Sequence, residues 1–247
     1  MTKKDSFPYV ISNDHSGREL PQLIRKQFAE IKEQLMTTGA VLFKSFGIDT
    51  PDKLEACVGA FPGSSINYSG GNSPRTNVHG QVYTSTEHPA QSLISLHNEL
   101  SYAKDWPSYI FFCCAQPAED GGHTIIANSR QILKDLPEEI KTAFKEKGVQ
   151  YIRNLHGGFG AGPSWQDTFE TSDRLAIEQH CRDNDILFEW GAKQKLKLIE
   201  KRPAIISHPE LAVEVWFNQA DQFHPSTNAP EVYEALMELY EDNLQSM

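Results

Sequence analysis

A chain of 247 residues with 39% hydrophobic and 23% charged side chains can bury a sizeable core. It suits one elaborated domain spanning 1–247, with no support for disordered, collagen-like or repeat architecture. The formal net charge of -10 argues against nucleic acid as a partner, because a surface that tracks phosphates needs clustered Lys and Arg. The longest apolar runs, such as Tyr109 to Ala115, are too short to span a membrane. The start MTKKDSFPYV lacks the apolar core of a secretory signal, so the expected location is the cytoplasm.

From Leu20 to Met36 apolar residues recur at Leu23, Ile24, Phe28, Ile31 and Leu35, which predicts a helix with one buried face that Gly39 stops. Ala40 to Gly47 reads as a strand, and Pro51 opens a second helix with Leu54, Cys57 and Val58 on its inner side. Pro62 to Pro89 is a long polar stretch of the kind that serves as a binding loop or stays disordered. Three strand-like runs follow, Ser92 to Tyr102, Pro107 to Pro117 and Gly121 to Ser129, and mark the start of a sheet core. Ser129 is placed to cap a helix from Arg130, and Leu136-Pro137-Glu138-Glu139 starts another that Gly148 ends. Val149 to Leu155 resumes as a strand, and Trp165 to Asp183 is helical in period. LFEW, KLKLI and AVEVWFNQ (187–190, 195–199 and 212–219) read as further strands, and Ala229 to Asp242 as an amphipathic helix. Core packing is the default role for Trp165, Trp190 and Trp216.

Four cysteines, Cys57, Cys113, Cys114 and Cys181, show no C-x-x-C spacing and read as core residues instead of disulfide partners or a catalytic thiol. Chemistry concentrates in LHNEL. His97 and Glu99 stand two apart, so on a strand both side chains point to the same side of the sheet. An imidazole and a carboxylate held side by side supply two legs of the 2-His-1-carboxylate triad, which binds Fe(II) and leaves positions open for cosubstrate and oxygen. H-x-E alone also arises by chance as a solvated or hydrogen-bonded pair. What favours the metal reading is context: the long Gly-bearing stretch before it, the strand-like runs after it, and the Gly121-Gly122-His123-Thr124 turn further along.

Five blocks in order carry a family resemblance: SGGNSPRT (Ser69 to Thr76), LHNELSY (Leu96 to Tyr102), FFCCAQPAEDGGHTIIANSR (Phe111 to Arg130), YIRN (Tyr151 to Asn154) and RPAIISHPELAVEVWFNQ (Arg202 to Gln219). Together they resemble the TauD/TfdA group of 2-oxoglutarate dioxygenases, and within it the clavaminate synthase-like branch, over nearly the whole chain. The resemblance implies an α+β fold, a double-stranded β-helix or jelly roll with helices packed outside and the last strands missing. It implies an Fe(II)- and 2-oxoglutarate-dependent oxygenase that uses O2 to hydroxylate a small polar substrate, such as an amino acid or derivative, free or attached to a carrier. By resemblance His97 and Glu99 are the first two iron ligands. Thr124 donates to the 2-oxoglutarate carboxylate, though a plain turn residue is the simpler reading. Glu99 stands where much of the family has Asp but matches this branch, and an intact carboxylate favours oxygenation over halogenation. Asn67, Tyr68, Ser73 and Arg75 lie where family members place substrate contacts. Arg75 is suited to a bidentate pair with a substrate carboxylate, or is a solvated loop charge.

The family takes its third ligand, a His, from a late strand beyond the HP…WFNQ block, and a 2-oxoglutarate-binding Arg from beyond that. No Arg follows Arg202, and the nearest histidines are His208, in the HP turn, and His224, in a Pro-bearing loop. The expectation is a fragment of a longer enzyme. The alternative is a non-catalytic fragment or vestigial binding protein that lacks the distal His and the Arg.

Overall fold

A computed structural model describes residues 7–13, 17–63, 75–85, 94–160 and 162–239, and its backbone clusters into two compact units. The first contains the described residues among 7–63, 75–85 and 108–124. Here β1 (Tyr9–Ser12) and β2 (Val41–Lys44) pair in parallel, with Tyr9 opposite Val41, and α1 (Leu20–Thr38) supplies the crossover that a parallel pair requires. The apolar spacing of α1 buries Leu20, Leu23, Ile24 and Ile31. It ends at Gly39, whose φ of 88° lets its N–H reach the Leu35 carbonyl. From α2 (Pro51–Val58) Cys57 joins the same cluster, with Ala60, and Ile11, Leu35, Phe43, Phe46, Ile48 and Phe61 pack around it. A short hairpin, β3 (Asn77–His79) with β4 (Val82–Tyr83), lies inside the stretch that reads as polar loop. All three residues of β3 are exposed, so it leaves none of the apolar alternation by which a strand is recognised.

The second unit contains the described residues among 94–107, 125–160 and 162–239. Two helices, α3 (Ser129–Asp135) and α4 (Glu138–Lys147), lead into β5 (Val149–Leu155). Then come α5 (Trp165–Phe169), α6 (Arg174–Asp183), β6 (Leu187–Trp190), β7 (Leu196–Arg202), β8 (Ile205–Ser207), β9 (Glu214–Trp216), α7 (Ala220–Phe223) and α8 (Pro230–Leu239). β5, β7 and β6 form an antiparallel sheet in that order, with Val149 opposite Arg202 and Leu187 opposite Ile199. β8 and β9 form a separate antiparallel pair. The join of α4 to β5 depends on Gly148: its φ is 68°, and a Cβ there would lie 2.6 Å from the Arg202 carbonyl oxygen.

Strand alternation puts Tyr151, Arg153 and Leu155 of β5, and Leu196, Leu198 and Glu200 of β7, among the buried residues. Leu155, Leu196 and Leu198 join Trp165, Ile177, Cys181 and Ile186 in one core, with Phe169, Phe188 and Trp190 against it. A second cluster of Leu100, Tyr102 and Tyr151 takes in Ala103, Trp106, Val149 and Phe223. Beside it the Arg153 and Glu200 side chains, 7% and 1% exposed, pair at 2.7 Å, and the Arg153 guanidinium stands 5.3 Å from the Tyr102 ring centroid.

The mixture of helix and sheet agrees with the α+β expectation. Among the described residues the sheets have two or three strands each and form no closed barrel. Residues 94–128 carry no strand, which corrects the reading of Ser92 to Tyr102, Pro107 to Pro117 and Gly121 to Ser129 wherever they are described. Apolar alternation marks faces, but a strand also needs a neighbour to take its backbone hydrogen bonds. Here the chain bonds to itself in turns, Ser101 N–H to Asn98 O at 3.2 Å and Ala103 N–H to Leu100 O at 2.9 Å. Ile110, Phe112 and Ile125 stay exposed.

Other boundaries also move. Asn128, not Ser129, caps α3, its side chain accepting from the N–H groups of Arg130 and Gln131. The helical period over Trp165 to Asp183 is broken at Glu170, which takes a left-handed φ of 51°, and Asp173 caps the restart. Only Glu214–Trp216 of AVEVWFNQ is strand. Among the described residues no helix is long and apolar enough to cross a membrane.

Candidate active site

The segment that carries His97 and Glu99 is a tight turn. Leu100 adopts φ 54° and is buried with Tyr102 and Tyr151, so the left-handed residue is held in place by its own side chain. Asn98 pins the turn from another direction, donating from Nδ2 to Ser129 Oγ at 3.1 Å and accepting the Asn218 N–H at 3.3 Å. With Asn98 and Leu100 committed to these contacts, His97 and Glu99 converge. Nε2 of His97 lies 3.6 Å from Oε2 of Glu99, and the two side chains are 19% and 16% exposed. Their juxtaposition follows the sequence reading, but a turn achieves it where strand alternation was expected.

The other ring nitrogen is occupied. His97 Nδ1 lies 2.9 Å from the Ser95 carbonyl oxygen and 2.9 Å from the Gln222 side-chain amide. Gln222 stands on α7, where its amide also meets the Gln219 amide at 2.8 Å. The Gln219 amide in turn meets Ser101 Oγ at 3.3 Å, and its backbone N–H donates to Tyr151 Oη at 2.9 Å. Burial pushes the Tyr151 phenol up from its ordinary value, so it stays protonated and is available to this network. A chain of polar groups thus runs from His97 into the tyrosine cluster.

A proton held on Nδ1 by a carbonyl leaves a lone pair on Nε2, the usual arrangement of a metal-binding imidazole. Two donors on one transition-metal ion, each about 2.1 Å from it and at a right angle, lie about 3 Å apart. The 3.6 Å spacing is slightly wider than that, and imidazole nitrogen with carboxylate oxygen is a donor set suited to Fe(II) or a similar ion. The pair therefore fits as two donors of a divalent cation. Among the described residues no group of three or more His, Cys, Asp and Glu side chains could hold a metal ion. His208 Nδ1 accepts the N–H groups of Glu210 and Leu211 and organises its own turn. His224 Nδ1 bonds Ser226 Oγ at 2.7 Å and caps a single 3-10 turn, Pro225–Thr227.

Thr124 is exposed and Arg75 half-buried, and both belong to the first unit, whereas His97 and Glu99 belong to the second. Asn67, Tyr68 and Ser73 lie outside the described residues. Sequence reasoning did not single out Gln222 or Gln219, which stand 125 and 118 positions from His97 and Ser101. The available signal was the WFNQ block, whose terminal Gln is Gln219.

The family described as taurine catabolism dioxygenase TauD, TfdA family matches residues 5–244. The dapdiamide synthesis protein DdaC of Enterobacter agglomerans is 35% identical over 207 residues, which cover 84% of this chain and 62% of that protein. A clavaminate synthase-like protein of Arabidopsis thaliana is 33% identical over 231 residues, covering 86% of this chain and 69% of the relative. The chain thus spans less than two thirds of the first relative's length and slightly more of the second's. With residues 5–244 of 247 matched by the family, the chain belongs to the TauD/TfdA family of dioxygenases.

Proposed function

We propose that this chain is the iron-binding portion of an Fe(II)- and 2-oxoglutarate-dependent oxygenase, with His97 and Glu99 as two of the metal ligands. The observation that carries the reading is the convergence of His97 Nε2 and Glu99 Oε2 at 3.6 Å while the Ser95 carbonyl takes the opposite ring nitrogen. Bound there, Fe(II) with 2-oxoglutarate would supply the oxidising chemistry that turns a substrate C–H bond into an alcohol, with O2 consumed and succinate and CO2 released. The chain's own contribution is positional. His97 offers a lone pair whose direction is fixed by its Nδ1 contacts, and Glu99 offers a carboxylate held beside it. Mostly buried side chains keep bulk water from competing at the metal.

Thr124 as a donor to the 2-oxoglutarate carboxylate, and Asn67, Tyr68, Ser73 and Arg75 as substrate contacts, rest on the family resemblance. The jelly-roll fold and the assignment of both units to one dioxygenase domain rest on the same ground, supported by the span of the family match. The substrate we propose is a small polar molecule, an amino acid or derivative, free or carrier-bound. The names of the family, taurine catabolism, and of one relative, dapdiamide synthesis, point the same way. A cytoplasmic location completes the reading.

The test is 2-oxoglutarate turnover with added Fe(II) under air, read as succinate. Turnover in the wild-type chain that is lost in His97→Ala supports the assignment. Turnover undiminished in His97→Ala rejects it. A second reading, a protein that binds without turnover, draws on the finding that among the described residues no third metal-binding side chain joins the pair. It predicts 2-oxoglutarate binding with no succinate.

A further inference from the structure

The contacts at His97 Nδ1 make incompatible demands. A carbonyl oxygen at 2.9 Å, that of Ser95, requires a proton on Nδ1, whereas an amide NH2 at 2.9 Å, that of Gln222, requires a lone pair there. Amide oxygen and nitrogen are nearly the same size, so the orientation of a Gln side chain follows from the network around it. With Gln222 Oε1 turned toward the ring, one Nδ1–H serves both oxygens as a three-centre bond.

That turn propagates along the chain of contacts. Gln222 Nε2 then donates to Gln219 Oε1 across the 2.8 Å contact, and Gln219 Nε2 donates to Ser101 Oγ across the 3.3 Å contact. The Ser101 hydroxyl hydrogen is left to bond Tyr151 Oη, which also accepts the Gln219 backbone N–H. A continuous polar chain of this kind orients the group at its end. At the other side of the imidazole, Glu99 Oε2 lies 3.6 Å from Nε2 and draws the proton toward that nitrogen. A proton there would block the lone pair that a metal needs.

We propose that Gln222 is the positioning residue that decides this competition: by accepting from Nδ1–H, together with the Ser95 carbonyl, it keeps the His97 proton away from Nε2 and leaves that nitrogen open to a metal ion. The inference rests on the reading of His97 as a ligand. It adds a residue from α7 that sequence spacing would not pair with the H-x-E turn.

Two readouts test it on the full chain: the tautomer of His97 in the metal-free protein, from two-bond nitrogen–proton correlations on 15N-histidine-labelled protein, and Co(II) affinity, from visible absorption. The wild type should hold His97 as the Nδ1–H tautomer. Gln222→Leu should shift it toward Nε2–H and weaken Co(II) binding about 10- to 100-fold, the usual effect of removing a group that orients a ligand. Gln222→Glu, which can only accept, should keep the Nδ1–H tautomer and the affinity, a rescue that a merely structural role for Gln222 would not produce. An Nε2–H tautomer in the wild type or in Gln222→Glu overturns the proposal. So does a Gln222→Leu protein with unchanged tautomer and affinity. His97→Ala separates the two levels. If it binds Co(II) as the wild type does, the ligand reading fails; if it loses binding while Gln222→Leu changes nothing, only the role of Gln222 fails.

Discussion

Glu200→Ala is the substitution whose cost the structure defines most closely. The Glu200 carboxylate, 1% exposed, meets the Arg153 guanidinium at 2.7 Å and Arg202 at 3.8 Å. Arg202 also donates to the carbonyls of Tyr102, Asn184 and Lys201, and the substitution takes from Arg153, whose side chain is 7% exposed, its carboxylate at 2.7 Å. Removing one partner of a buried pair costs about 3–5 kcal/mol, because the remaining charge keeps its desolvation penalty and loses its attraction. At about 2–4 °C per kcal/mol for a chain of this size, the melting temperature should fall by about 6–20 °C. Arg153→Met with Glu200→Leu removes both charges and fills the space with apolar groups, so the double variant should recover most of the loss. Urea unfolding and thermal melting of wild type, single and double variants measure this. A double variant as unstable as Glu200→Ala would refute the reasoning, because the deficit would then lie in packing and not in a stranded charge.

His180 gives a pH signature. Burial, aided by the nearby Arg153 charge, holds its imidazole below the ordinary 6.5, so the unfolded chain binds the proton more readily than the fold does. The stability it contributes is complete above pH 6.5 and is lost as pH falls below 6.5 through the folded value. Urea midpoints measured on both sides of pH 6.5 should therefore fall less steeply in His180→Gln than in wild type, and equal slopes would remove His180 from the account. Cys181, fully buried with its thiol pushed up to about 11, should resist alkylation in the native protein while exposed Cys114 reacts. Labelling of Cys181 at the rate of Cys114 would contradict the placement of the α6 core.

The parts of the fold legible in the sequence are those where one local signal decides the outcome. The i, i+3, i+4 spacing of Leu20, Leu23, Ile24 and Ile31 with Gly39 behind it defines α1, and the alternation of Tyr151, Arg153 and Leu155 defines the buried residues of β5. What the sequence hides depends on partners far along the chain. Leu96 to Tyr102 alternates like a strand, yet Asn98 is committed to Asn218 and Ser129 and Leu100 to the tyrosines, so the backbone turns. His97 and Glu99 stand out in the sequence because two chemically distinctive side chains lie two apart. Gln222 was not, because an amide near the C-terminal end carries no signal of its own until its position beside His97 is known.

The central claim is that His97 and Glu99 hold one metal ion together, and anaerobic Fe(II) titration of wild type, His97→Ala, Glu99→Ala and the double variant tests it most directly. The account predicts one Fe(II) per wild-type chain, weakened binding in each single variant, and a double variant little worse than either, because two donors to one ion act as a unit. Fe(II) bound equally well by the wild type and by both single variants would contradict it.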